Sequence, residues 1–161
     1  MSNFGEKWDS RFILMARTVA GWSKNRSNKV GAVLVVQDKI IRSTGYNGIP
    51  RGLDDTVEER NAAGSWVKHL YYEHAERNVL WNCVNVGIPT SGCSLYVTHL
   101  CCPDCTRGII QCKIKEVVVD AGGLELPFYQ KYKDELDVTI AMLSESKIEL
   151  RYHDPEDEDT T

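Results

Sequence analysis

The sequence predicts an α/β fold, a three-layer α/β/α sandwich around a five-stranded mixed sheet. Three observations predict it: an opening segment of helical period, a near-continuous apolar run that turns back as a hairpin, and later β-rich runs alternating with helical patterns.

Trp8, Phe12, Met15, Ala16, Val19 and Trp22 recur near helical period, so residues 7–23 read as an amphipathic helix whose stripe faces the core. Gly21 loosens it, and residues 23–29 form a polar loop. That loop is either a solvated connector or a place where Arg26, Asn28 and Lys29 face a phosphate or sugar just before a strand. Residues 30–36 are apolar throughout, as a strand covered on both faces should be. Gln37, Asp38 and Lys39 turn the chain, and residues 40–45 return as the second strand. Gly31 and Ala32 are small enough for another element to approach the backbone, and the expected element is the helix that carries His74.

Residues 45–52 hold three glycines, a proline and an Asn-Gly step, which makes them a loop with special dihedrals. Residues 53–72 are polar and acidic around Trp66, Leu70 and Tyr71 and read as a partly helical excursion. Ala75, Val79, Leu80, Cys83 and Val84 give a helix over 74–86 that Gly87 and Pro89 stop. A third strand follows at 94–98, then a helix over 103–112 with proline in its first turn, and a fourth strand at 116–120. Phe128, Tyr132, Leu136, Ile140 and Leu143 predict one helix over 128–144, and residues 148–151 a fifth strand. Strands that alternate with helices favour parallel pairing after the hairpin. Residues 1–153 are expected to form one domain, with 154–161 as an acidic, disordered tail.

The chain is 42% hydrophobic and 26% charged, with a net charge of −4 and no basic run. Binding to a long nucleic-acid backbone needs a basic surface, so that partner is not expected, whereas a single nucleotide needs only a few local cations. No apolar run approaches the ~20 residues of a membrane span, and the N-terminus lacks the basic-then-apolar form of a secretory signal. Six cysteines then point to a reducing, cytoplasmic setting in which thiols bind metal or pack in the core.

The chemistry is carried by His74-Ala75-Glu76 and Cys102-Pro103-Asp104-Cys105. Either half alone is weak: His-x-Glu occurs on solvated helices, and Cys-x-x-Cys serves redox or structural roles. Together, each opening an apolar-periodic segment, they supply one imidazole and two thiolates. That is the ligand set of a catalytic zinc that keeps a fourth position for water. Two thiolates and a neutral imidazole balance the charge of one Zn²⁺, and helix N-termini favour thiolate over thiol. Glu76 is left to move protons. The pattern is that of zinc nucleobase deaminases and fits hydrolytic deamination of a cytosine-type ring.

Across about residues 7–150 the chain resembles the deoxycytidylate (dCMP) deaminases of the cytidine-deaminase superfamily. The resemblance rests on Val30-Gly31-Ala32, the Gly45-to-Gly52 loop, His74-Ala75-Glu76-Arg77-Asn78, Leu95-Tyr96-Val97-Thr98, Cys102-Pro103-Asp104-Cys105, and Ile109-Ile110 through Val118. It implies the cytidine-deaminase fold and conversion of dCMP to dUMP with release of ammonia. It also implies one zinc per chain on His74, Cys102 and Cys105, with Glu76 as proton shuttle. Hexamers are common in that family, as are activation by dCTP and inhibition by dTTP, bound with Mg²⁺. Tyr46, Asn47 and Gly48 match the effector motif, and Asn28 matches a sugar contact. Arg26 is assigned to the phosphate by charge and position, and Ala75 is placed on the substrate side with them.

There are departures. Cys101 stands where the family usually has proline; only Cys102 is spaced to pair with Cys105, so Cys101 is read as a packed thiol. Lys113-Ile114 replaces Gly-Ile. His69, His99 and His153 have no matching cysteine cluster, so no second zinc is expected, and His69 reads as surface helix. Alternatives are a deaminase of free cytidine, of a dCTP-level or modified cytosine nucleotide, or of tRNA adenosine. A non-catalytic nucleotide-binding module would have no use for Glu76. A DNA-editing enzyme is disfavoured by the negative charge.

Overall fold

The computed structural model describes residues 4–123 and 127–155. Helix α1 (Glu6–Ala20) precedes the hairpin of β1 (Gly31–Val36) and β2 (Ile40–Tyr46). Short helices α2 (Glu58–Asn61) and α3 (Trp66–Tyr71) follow, then α4 (Ala75–Val86), β3 (Ser94–Val97), α5 (Pro103–Gln111) and β4 (Glu116–Asp120). Helices α6 (Pro127–Lys131) and α7 (Lys133–Glu145) lead to β5 (Glu149–His153). The strands form one mixed sheet in the order β2-β1-β3-β4-β5.

β1 runs antiparallel to β2 and to β3, whereas β3, β4 and β5 are parallel. The expectation of parallel pairing after the hairpin therefore holds from β3 onward only. β3 follows β2 through α4 and runs in the same direction as β2, but it lands on the far side of β1. Its ladder on that side is with a strand running the other way.

The pleat sorts side chains to two layers. Ala32, Leu34, Leu95, Val97, Val117 and Val119 pack with α4, α5 and α7 in one cluster. Val33, Val35, Tyr96 and Val118 meet Phe12, Ile13 and Ala16 of α1 in the other. Each aliphatic side chain fully buried there contributes about 1.5–3 kcal/mol relative to exposure. Within α1 the stripe is narrower than predicted, because Met15 is exposed and Trp22 lies beyond the helix on the surface.

Two glycines let the outer layers touch the sheet. A Cβ on Gly31 would overlap the Ala16 carbonyl oxygen and come within 2.5 Å of the Ala20 nitrogen. Gly31 thus admits α1, not the helix that carries His74, which corrects the sequence reading. Ala32 does face that helix. The glycine that admits α4 is Gly45, whose Cβ would lie 2.6 Å from the Ala75 oxygen and the Val79 nitrogen.

The single helix predicted over 128–144 is two helices that break at Tyr132, where φ is −108° and ψ 20°. Leu136, Thr139 and Leu143 are its buried residues and Ile140 is exposed; the side chain of Phe128 lies outside the described residues. Gly87 closes α4 in the left-handed region at φ 72°, with Ile88 N–H bonding back to the Cys83 carbonyl, as its position predicts. Of the acidic tail only Asp154 and Pro155 are among the described residues.

Candidate active site

Because β2, β3 and β4 point the same way, the junctions that follow β2 and β3 open at one end of the sheet, where α/β folds gather ligands. His74 is the last extended residue before α4, and Cys102 the last before α5. Pro103 fixes the first turn of α5, and the Thr106 N–H and hydroxyl both end on the Cys102 carbonyl. Cys105 sits in that first turn.

Cys102 Sγ and Cys105 Sγ each lie 3.4 Å from His74 Nδ1, and the three atoms are all within 4.8 Å of one another. Tetrahedral zinc with bonds of about 2.3 Å to sulfur and 2.0–2.1 Å to nitrogen sets sulfur and nitrogen about 3.6 Å apart. The donor set and its spacing fit zinc. Among the described residues no other His, Cys, Asp or Glu group of this kind is present.

The cluster is electrostatically polarised. A hydrogen bond from the Cys105 thiol, with another from His74, outweighs burial and pushes Cys102 down to about 4, so it is a thiolate. The same hydrogen bond between the two sulfurs pushes Cys105 up, and the Cys102 hydrogen bond pushes His74 up. Glu76, in the first turn of α4, is only 4% exposed, and burial raises its pKa above the usual carboxylate value. A carboxyl held toward neutrality beside this cluster is suited to taking and returning a proton. Cys101 is buried, its thiol pushed well above the ordinary value by burial, and it stays outside the cluster.

Glu73 was not picked out by the sequence reading, yet it braces His74. Its carboxylate accepts the His74 N–H (3.0 Å), Arg77 Nε (2.5 Å) and Trp81 Nε1 (3.0 Å). Burial pushes Glu73 up, but the bonds from Arg77, Trp81 and the His74 N–H outweigh it and leave its pKa lowered. Its backbone forms a two-bond bridge with Gly48, 2.8 and 3.0 Å. The Gly45-to-Gly52 loop is thereby joined to the residue next to His74.

The residues read as effector contacts divide. Asn47 is buried, and its amide is spent on the chain: Oδ1 accepts the Val30 N–H (2.9 Å) and Nδ2 donates to the Asn28 carbonyl (2.8 Å). Tyr46 and Gly48 instead line a small pocket of about 60 Å³ with Trp22, Lys24, Asp55 and Tyr72. Of the substrate-side residues, Ala75 is fully buried under Gly45, and Asn28 is half-buried. Arg26 is exposed and paired with Glu58 at 2.5 and 2.9 Å. His69 is on the surface.

Past β3, His99 lies parallel to the Tyr129 ring at 6.4 Å, and Tyr129 OH accepts the Leu100 N–H (2.7 Å). Burial lowers the His99 pKa and raises Tyr129 to about 12, so both are neutral near pH 7. These contacts clamp the loop that enters Cys101 and Cys102. No sequence signal marks them, since Tyr129 is remote and its helix pattern is only amphipathic.

Residues 6–121 match the family described as the cytidine and deoxycytidylate deaminase zinc-binding region. The uncharacterised deaminase in the luxG 3′ region of Aliivibrio fischeri is 32% identical over 146 residues, which span 91% of this chain and 93% of that protein. The deoxycytidylate deaminase of Mus musculus is 35% identical over 140 residues, 85% of this chain and 73% of that one. Among solved structures, the apo dCMP deaminase of cyanophage S-TIM5 has a TM-score of 0.69 at 23% identity. It covers 94% of this chain and 99% of its own, and so shares the fold.

Proposed function

The chain belongs to the cytidine and deoxycytidylate deaminase family, and on that premise we propose that it hydrolyses dCMP to dUMP and ammonia. The observation that carries the reading is the approach of two sulfurs to 3.4 Å from one imidazole nitrogen, with Glu76 buried in the adjoining turn. Zn²⁺ on His74, Cys102 and Cys105 would lower the pKa of a water toward ~7 and so make the nucleophile available at neutral pH. Glu76 takes the proton released by that water and delivers it to ring N3. As the water oxygen bonds to C4, Glu76 takes that oxygen's remaining proton and passes it to the exocyclic nitrogen, so that the C4–N bond breaks, ammonia leaves and the oxygen stays as the C4 carbonyl. One carboxyl acts in turn as base and acid, which its raised pKa supports.

On the substrate side, Asn28 meets the sugar and Ala75 backs the ring. Arg26, now held by Glu58, is the cation the loop offers the phosphate. The dCMP specificity is supported by the curated relatives named deoxycytidylate deaminase, and by the cyanophage enzyme described in complex with dCMP and dUMP. Tyr46 and Gly48 also line a wider groove of about 760 Å³ with Trp22, Arg51 and Asn85, and that groove is where dCTP would activate and dTTP inhibit. Exposed Trp22, Trp81 and Val84 along the groove support assembly into a homo-oligomer, and the resemblance to the deoxycytidylate deaminases favours a hexamer. No helix among the described residues is long and apolar enough to cross a membrane, and six free cysteines favour the reducing cytoplasm.

The test is ammonia release from dCMP, deoxycytidine and dCTP side by side, with and without dCTP and dTTP, after measuring zinc per chain. Preference for dCMP is expected, and preference for either of the others would reassign the substrate. Cys102→Ser should lose zinc and activity together, whereas Cys101→Ser should keep both. The opposite pattern would shift the ligand register by one residue.

A further inference from the structure

We propose that Lys68 is a positioning residue: from α3 it holds the loop of residues 23–29 in the shape that binds substrate. The proposal rests on the substrate reading above and extends it to a residue outside the site.

The loop has no helix or strand of its own, so side chains fix it. Ser23 Oγ donates to the Asn47 carbonyl at 2.6 Å, and Asn47 pins Asn28 and Val30. The middle of the loop depends on Asn25. Its buried Oδ1 accepts the Ser27 N–H (2.9 Å), the Asn28 N–H (3.3 Å) and the ammonium of Lys68 (2.9 Å). Lys68 also donates to Ser27 Oγ at 3.1 Å. One ammonium thus spans both sides of the turn that presents Asn28.

The location is apt. Val30, two residues past Asn28, packs on the cluster that contains Ala75, Cys101 and Cys105. Gly31 exchanges hydrogen bonds with Thr98, just ahead of the Cys102 ligand. A loop anchored there borders the metal-ligand end of the sheet.

The chemistry is unusual for a residue that only fills space. Lys68 is buried, its described acceptors are neutral oxygens, and its ammonium also lies 5.8 Å from the Tyr72 ring. Burying an ammonium without a carboxylate is costly, and burial duly lowers its pKa. An apolar chain of similar length would avoid that cost, so the donors are what the position retains. Helix α3 gains little otherwise, since Trp66 and Leu70 point to solvent. Lys68 is its buried residue, and just past its end Tyr72 is buried with its hydroxyl donating to Asn61 at 2.7 Å.

The experiment compares zinc-loaded wild type, Lys68→Met and Lys68→Arg by amide hydrogen exchange and steady-state kinetics on dCMP. In Lys68→Met the Ser27 and Asn28 amides should exchange at least about tenfold faster, with β1 unchanged. KM should rise at least about tenfold with kcat within about twofold, and Lys68→Arg should recover most of both. Unchanged exchange overturns the proposal, and so does faster exchange with unchanged KM, or a fall in kcat alone. Should Lys68→Met not fold, Ser27→Ala removes one of the two Lys68 bonds and leaves Asn25 Oδ1 in place for both loop amides, and it should raise Asn28 exchange and KM in the same direction. A wild type that turns over no cytosine nucleotide defeats the functional reading, and the exchange comparison alone then decides whether Lys68 holds the loop.

Discussion

Two buried polar clusters lie on opposite sides of the sheet, and they are built on different terms. Under α1, Arg151 of β5 reaches Asp9 at 2.9 Å and Glu116 at 3.0 and 3.1 Å. Asp9 also accepts the Tyr96 hydroxyl at 2.6 Å, and Glu116 the Ser94 hydroxyl. Cation faces carboxylates, and Tyr96 is pushed far above its ordinary value by burial and by Asp9, so it stays a neutral donor. At the junction of α4 and α5, by contrast, three lone-pair donors face one another, with an acid next to them whose neutral form burial favours. The first cluster sets Arg151 between two carboxylates, with Lys115 3.9 Å from Glu116 as a second cation, and locks β4 and β5 to α1. The second converges on a point where only a cation, or a proton between sulfurs, balances it. Buried polarity alone does not mark function; mutual donors aimed at one point do.

The sharpest separation comes from Glu76→Gln. It should lower kcat on the order of 10²–10⁴-fold while zinc content and melting stay near wild type, read by ammonia release and metal analysis. Arg151→Met is the complementary cut. Asp9 and Glu116 would both lose the guanidinium, with Lys115 still 3.9 Å from Glu116, at a cost of about 3–5 kcal/mol in urea unfolding and with kcat of the folded fraction unchanged. If Arg151→Met instead abolished turnover in a stable protein, the two clusters would not be independent.

The sequence made the second cluster readable and the first nearly invisible. His74 with Glu76, and Cys102 with Cys105, are short-range patterns whose spacing fits helix openings, so one pass along the chain finds them. β4 was placed to the residue because Val117, Val118 and Val119 are apolar on both faces. The network under α1 joins residues 142 and 35 positions apart, and no local periodicity encodes that. Lys68 is hidden for the same reason: it meets Asn25 and Ser27 across 43 and 41 residues. The antiparallel β1–β3 ladder was missed because strand alternation predicts direction along a crossover, not which strand the crossover lands beside.

The finest test uses the two glycines that bring helices onto the sheet, one for each cluster. A Cβ at Gly31 meets α1 backbone at Ala16 and Ala20, and a Cβ at Gly45 meets α4 backbone at Ala75 and Val79. Backbone cannot swing aside like a side-chain tip, so each helix must lift, and each substitution to alanine should cost about 1–3 kcal/mol. Gly31→Ala should be the less stable, since its Cβ would come closer to helix backbone than the 2.6 Å at Gly45, and the two should differ in what they spoil. Gly45→Ala lifts the first turn of α4, which carries Ala75 and Glu76 and follows directly on His74, and it should weaken zinc retention against a chelator and lower kcat. Gly31→Ala lifts α1, which supplies Asp9 to the other cluster, and should leave zinc retention alone. Equal zinc loss in both would mean that the sheet transmits strain between its faces, and that the metal end relies on α1 as much as on α4.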